Sequence, residues 1–195
     1  MSINNLNSAS KTLANRIWNA IKNDKQVNAI IQNPEQITFL SPKDAAEQKP
    51  PQISIYLYNV TELTSMRNQP TPTQNPSKPP LYLNLRYLIT PITKKVDDDQ
   101  VVLGKILQVF NDTPILRASD LQGSLKEGGE DLKVMFDQLT VDDLSKVWGM
   151  LSTPYRLSVG YTVYPVKIES AVKPDSKPVV IKRPQLTADK RSIKA

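Results

Sequence analysis

The chain has 195 residues, no cysteine, no histidine and a formal net charge of +6. That length suits one domain with a sizeable core. The missing thiols and imidazoles exclude disulfides, zinc sites of the usual ligand type, and Ser/His or Cys/His nucleophilic catalysis, which needs a partner ionising near neutrality.

Carboxylate-only and lysine-based mechanisms survive that exclusion, but no motif points to them. We therefore expect no enzyme, no catalytic residue, no cofactor and no metal site. Hydrophobic residues make up 39% of the chain, and no apolar run approaches the roughly 18 residues of a membrane span. A soluble protein without a transmembrane segment is expected. The opening MSINNLNSASKTLANRIW lacks a basic stretch followed by an apolar one, so export by the general route is not expected either. The charge is uneven. From Lys167 to the end, eight Lys/Arg face three Asp/Glu, whereas residues 1–166 hold seventeen against sixteen and are almost neutral.

Taken in order, Leu6 to Asn23 carries Leu13, Ile17 and Ile21 at a spacing of four, with Ala14 and Trp18 alongside, and predicts a helix packed by that stripe. An apolar patch at Val27 to Ile31 precedes an Asn33-Pro34 turn, a short strand at Ile37 to Leu40 and a polar connection over Lys43 to Pro51. Ile53 to Val60 is rich in β-branched and aromatic residues, and reads as a strand apolar enough on both faces to be covered.

Five prolines among Asn, Gln, Ser and Thr between Met66 and Pro80 predict a long exposed loop, 66–80. Leu81 to Thr90 is the next strand. It has Leu81, Leu83, Leu85, Tyr87 and Ile89 on its core face, Pro91 ends it, and it is an antiparallel neighbour for the strand at Ile53.

Asp97, Asp98 and Asp99 open a helix whose stripe is Val102, Leu103, Ile106, Leu107, Val109 and Phe110. They read as a favourable first turn rather than a calcium site, which needs alternating ligands and a turn glycine. Pro114 closes the helix. Ile115 to Leu125 contains a short strand or turn. Glu127-Gly128-Gly129-Glu130 reads as a flexible hairpin turn into the strand-like run Leu132 to Leu139, and not as a phosphate cradle.

Thr140 is a good N-cap for a helix carrying Leu144, Val147, Trp148 and Leu151, which Pro154 ends. After a three-residue link, alternation from Tyr155 to Val166 predicts a strand of about eleven residues, roughly 35 Å long. This helix and strand are the pair on which the other elements are expected to pack. Trp18 and Trp148 sit in helical stripes and read as core.

The sum is an α+β domain over 1–168, a mainly antiparallel twisted sheet flanked by about three helices, followed by an extended basic tail at 169–195.

The wording of the chain goes further. ISIYLYNVTE (Ile53 to Glu62), Arg67-Asn68, PPLYLNLRYLITP (Pro79 to Pro91), LGKILQVFNDTPIL (Leu103 to Leu116), LTVDDLSKVW (Leu139 to Trp148) and TPYRLSVGYTV (Thr153 to Val163) occur in the same order in one family. The sequence resembles, over about residues 8–168, the N-terminal domain of the tail-terminator or cap proteins of extracellular contractile injection systems of the antifeeding-prophage type. It departs from that family at Arg86 and Gln100, where relatives commonly carry His.

The resemblance implies a phage tail-terminator-like fold and a structural role. Its partners would be further copies of itself in a hexameric ring, the inner tube protein and the sheath protein. Assembly would be cytoplasmic, in a particle that is released or membrane-associated. Candidate interaction residues are Arg67, Asn68, Gln69 and Lys78 in the proline-rich loop. In the tail they are Val179, Val180 and Ile181, its one apolar run, with Lys182 and Arg183. The competing reading is a nucleic-acid or anionic-surface binder acting through the basic tail, with its eight cations counted from Lys167 onward, although no aromatics are interleaved there to stack on bases.

Overall fold

In the computed structural model, which describes residues 2–48, 52–66 and 79–171, the apolar stripes of two long helices meet one face of a six-stranded sheet. The first helix, α1 (Asn5–Ile21), is the amphipathic segment expected, with Ala9, Leu13, Ile17 and Ile21 all fully buried. Short helix α2 (Lys25–Asn28) follows, capped by the Asp24 carboxylate, which accepts the backbone N–H groups of Gln26 and Val27.

Strand β1 (Ile37–Thr38) is only two residues long. Residues 42–47 form helix α3 (Pro42–Glu47) rather than a polar connection. The signal was in the sequence: Ser41 Oγ accepts the Asp44 N–H, and Pro42 at the first helical position has no N–H to lose.

The hairpin of β2 (Gln52–Glu62) and β3 (Leu81–Ile92) is antiparallel, with a register shift between Leu57 and Asn59. Strand β2 is covered at Ile53 and Ile55 but exposed from Asn59 to Glu62, so only its first half is enclosed. Pro91 does not end β3. It stands beyond the last β6 partner pair, Ile89↔Val159, where its missing N–H forfeits no ladder bond on that side. Leu81, expected in the core, is 43% exposed at the far end of the strand.

Helix α4 (Val96–Asp112) starts with the three aspartates in its first turn, and Asp99 accepts the Thr93 N–H at 2.8 Å. Val102, Leu103, Ile106, Val109 and Phe110 are buried; Leu107 is not. Strand β4 (Ile115–Leu116) precedes helix α5 (Ser124–Gly128). Glycines 128 and 129 therefore close a helix rather than a hairpin, Gly129 taking the left-handed conformation (φ 66°) that such an end requires.

Strand β5 (Leu132–Asp137) leads into α6 (Val141–Leu151), whose Thr140 and Asp143 form a reciprocal capping box. The helix stops at Ser152 in the left-handed region (φ 50°), two residues before Pro154. Strand β6 (Val159–Ile168) begins later than alternation predicts. The partner pairs of β6 stop at Ile89↔Val159 on one side and Asp137↔Gly160 on the other, so residues 155–158 lie outside the ladder. Tyr155 instead stacks edge-on against Trp148, and Ser158 accepts the Trp148 indole N–H.

The sheet order is β1-β2-β3-β6-β5-β4. Only β1–β2 is parallel. Strands β3 and β6 are thus central, and the expected hub is only half correct. Strand β6 templates the sheet, while α6 lies across the opposite face in a small separate cluster of Leu88, Val147 and Trp148. The main core, with Tyr87, Ile89, Tyr161 and Val163, is the α1/α4 side. There Trp18 packs partly buried, and Trp148 is buried in the second cluster.

A polar seam ties α1 to the end of β6 and to the start of α5. Asn5 Nδ2 donates to the Lys167 carbonyl and Ser124 Oγ to Asn5 Oδ1, each at 2.6 Å, and the Gln122 N–H reaches Thr12 Oγ1 at 3.0 Å.

Candidate assembly interface

The residues singled out for interaction, Arg67, Asn68, Gln69, Lys78, Val179, Val180, Ile181, Lys182 and Arg183, lie outside the described residues. Within the described residues the fold presents three other surfaces. None was singled out from sequence, because each depends on which strand ends up beside which.

The first is a pair of uncovered sheet edges. Strand β1 pairs only with Ile53 and Ser54 of β2, and β4 only with Leu132 and Lys133 of β5. The second is an apolar groove of about 720 Å³ between α4 and β5. Leu107, Phe110, Pro114, Phe136 and Tyr161 form its walls. Phe136 stands edge-on to Tyr161, with ring centroids 5.6 Å apart, and Tyr161 meets Phe110 at 4.9 Å. Burial in this aromatic stack pushes the Tyr161 hydroxyl up to about 12. Leu107, Met135 and Phe136 are the lining apolar residues whose exposure makes this groove a surface rather than core.

The third surface is polar. Arg86 on β3 lies 3.8 Å from Asp137 Oδ2, which also accepts the Thr162 hydroxyl, and Tyr58 projects beside them from the β2 irregularity. The Tyr58 hydroxyl and Arg86 Nε are sheltered without a hydrogen-bond partner. Desolvation and the Asp137 charge raise the Tyr58 pKa. At this site a guanidinium balances Asp137 at any ordinary pH, which an imidazole would do only when protonated.

Among the described residues no group of three or more His, Cys, Asp or Glu is arranged to hold a metal. No helix there is long and apolar enough to cross a membrane.

Solved structures of two other proteins share this α+β fold. A cryo-EM structure of the sheath/tube terminator, in the extended state, of PVC, an extracellular contractile injection system, is similar with a TM-score of 0.56. It is 18% identical over 88% of this chain and 64% of its own. The anti-feeding prophage cap, a tube terminating cap, is similar with a TM-score of 0.54 and 20% identity over 87% of this chain and 60% of its own. This chain thus spans somewhat under two thirds of the length of those two proteins. The chain belongs to the Pvc16 N-terminal domain family, whose model matches residues 8–182 and so reaches beyond the end of β6. A search of curated proteins found no match.

Proposed function

We propose that this protein is the terminating cap of a contractile injection particle. In this reading six copies form a ring on the distal end of the inner tube, stop its growth and anchor the last sheath layer. The role is structural rather than catalytic. The observation that carries it is the family match across residues 8–182, and the shared fold of a sheath/tube terminator and a tube terminating cap supports it. Open sheet edges and an apolar groove are what a ring subunit needs, since a cap must bind both its own copies and the template beneath.

The loop Met66 to Pro80, long and proline-rich in sequence, is assigned to the tube or an adjacent copy. The stretch Val179 to Ile181 is assigned to a sheath edge, its neighbouring cations meeting acidic surface. Assembly in the cytoplasm, before the particle is released or held at a membrane, belongs to the same reading. The alternative, a basic tail that binds nucleic acid or an anionic surface, finds no support in the family match or the similar structures.

The test is electron microscopy of particles from cells with and without the gene. Overlong tubes or sheathless debris in its absence, rescued by the intact chain, are expected; particles of normal length and sheathing without it would overturn the proposal. Two variants refine it. Deleting Gln69 to Ser77 is expected to abolish incorporation, and truncation after Ser170 is expected to leave the ring but release the sheath.

A further inference from the structure

The two open edges of the sheet match each other in height, direction and chemistry. On β2 the stretch Tyr56 to Thr61 has no strand on its outer side among the described residues, since β1 covers only Ile53 and Ser54. On β5 the last contact made by its outer side is the Val134 N–H to the Pro114 carbonyl at 2.8 Å. Strand alternation points the N–H and C=O of Phe136 the same way, out of the sheet.

Heights follow from the register. Met135 pairs with Thr162, Thr162 with Arg86 and Arg86 with Asn59, so Met135 and Asn59 end one row across the sheet. Phe136, Tyr161, Tyr87 and Leu57 form the next row. Three antiparallel steps separate β2 from β5, so the two edges run in opposite directions. A copy moved sideways therefore sets its β2 edge against the β5 edge as an antiparallel pair, with no rise.

Side chains agree with that placement. Leu57 and Val60 stand opposite Tyr87 and Leu85, on the α1/α4 face, which is the face of the groove beside Phe136. Val60, Met135 and Phe136 are 42%, 52% and 47% exposed.

We propose that the open β5 edge and its groove receive the β2 edge of a second copy, head to tail, so that the sheets of successive copies join into one ring. A second copy is favoured over a foreign strand because both halves of the match are present in this one chain. A contact between two different patches repeats from copy to copy, and closes when the rotation per copy allows. The proposal deepens the capping reading and rests on it for ring closure. The edge pairing itself rests on the geometry.

The absence of native cysteine allows a direct test. A chain carrying Asn59→Cys and Met135→Cys, both exposed positions, is assembled into particles and treated with a short bismaleimide. A covalent ladder that ends at a closed ring is expected from the double variant, and monomer from either single variant. Dimers from a single variant would mean like edges pair, and would overturn the proposal. So would a double variant that stays monomeric in particles that contain it, or a ladder that appears only after truncation at Ser170, which would mean the chain's own tail holds the edge. If the chain is missing from particles whose tubes end normally, the capping reading fails. The same reaction on the concentrated purified protein then decides the edge pairing alone, a ladder supporting it and monomer overturning it.

Discussion

Replacing Tyr87 with Phe removes a single oxygen from the middle of the core, and its effect on stability is expected to change sign with pH. Tyr87 is fully buried on β3, and its hydroxyl lies 3.0 Å from Ser10 Oγ on α1. Ser10 donates its own proton to the Leu6 carbonyl, so Tyr87 is the donor in the pair. Near neutral pH the substitution loses one buried hydrogen bond but leaves Ser10 its other partner, a cost of about 1 kcal/mol.

At high pH the balance shifts. Burial pushes the Tyr87 hydroxyl up from its ordinary value of 10.0 to about 12. The folded state therefore keeps a proton that the unfolded chain releases. Stability is fully present below pH 10.0 and falls as the pH rises towards about 12. At a pH one unit above the ordinary value that loss is about 1.4 kcal/mol. The phenylalanine variant has no such loss. Tyr161, also raised to about 12, titrates in both chains and cancels from the comparison. Urea unfolding of the two proteins from neutral to alkaline pH should show the variant weaker at first, then equal or stronger near pH 11. A gap that stays constant across that range would refute the argument, and Ser10→Ala in a double-mutant cycle isolates the hydrogen bond.

Four further outcomes are expected. Gly123→Ala places a Cβ 2.6 Å from Ser8 Oγ at a backbone angle (φ 57°) that side chains avoid, and should destabilise by about 3 kcal/mol; an unchanged urea midpoint would contradict the strain. Trp148→Ala empties the small cluster under α6 and should cost about 4 kcal/mol, with loss of the near-UV signal of the Trp148–Tyr155 pair. Thr140→Ala removes the α6 cap and should cost about 1 kcal/mol in a thermal melt. Finally, the Val27 N–H and then Lys105 hold the Asp24 carboxyl below its ordinary value of 3.8, and Thr140 does the same for Asp143. Their contribution is present above pH 3.8 and is lost as the pH falls through the lower folded values. Asp24→Asn should flatten that acid limb of the stability curve, and an unchanged limb would show that the pairing contributes nothing.

Sequence alone determined the elements whose causes are local. The stripe of α1, the three-aspartate start of α4, the capped start of α6 and the hairpin of β2 and β3 were legible because each is written in period, cap or composition over a short window. Local signals also mark where these reasons stop. The capping serine before α3 went unread beside a polar composition, and the alternation at Tyr155 to Ser158 described extended backbone but not a partner.

Tertiary structure alone decided which strands stand side by side. It decided that β6 lies between β3 and β5, that α6 covers the face opposite α1 and α4, and that Leu107 and Phe136 remain exposed. The proposed interface belongs to this second kind of information. An edge is open where no distant segment among the described residues pairs with it, and strand pairing is fixed by hydrogen bonds between residues far apart in the chain, which local period cannot express.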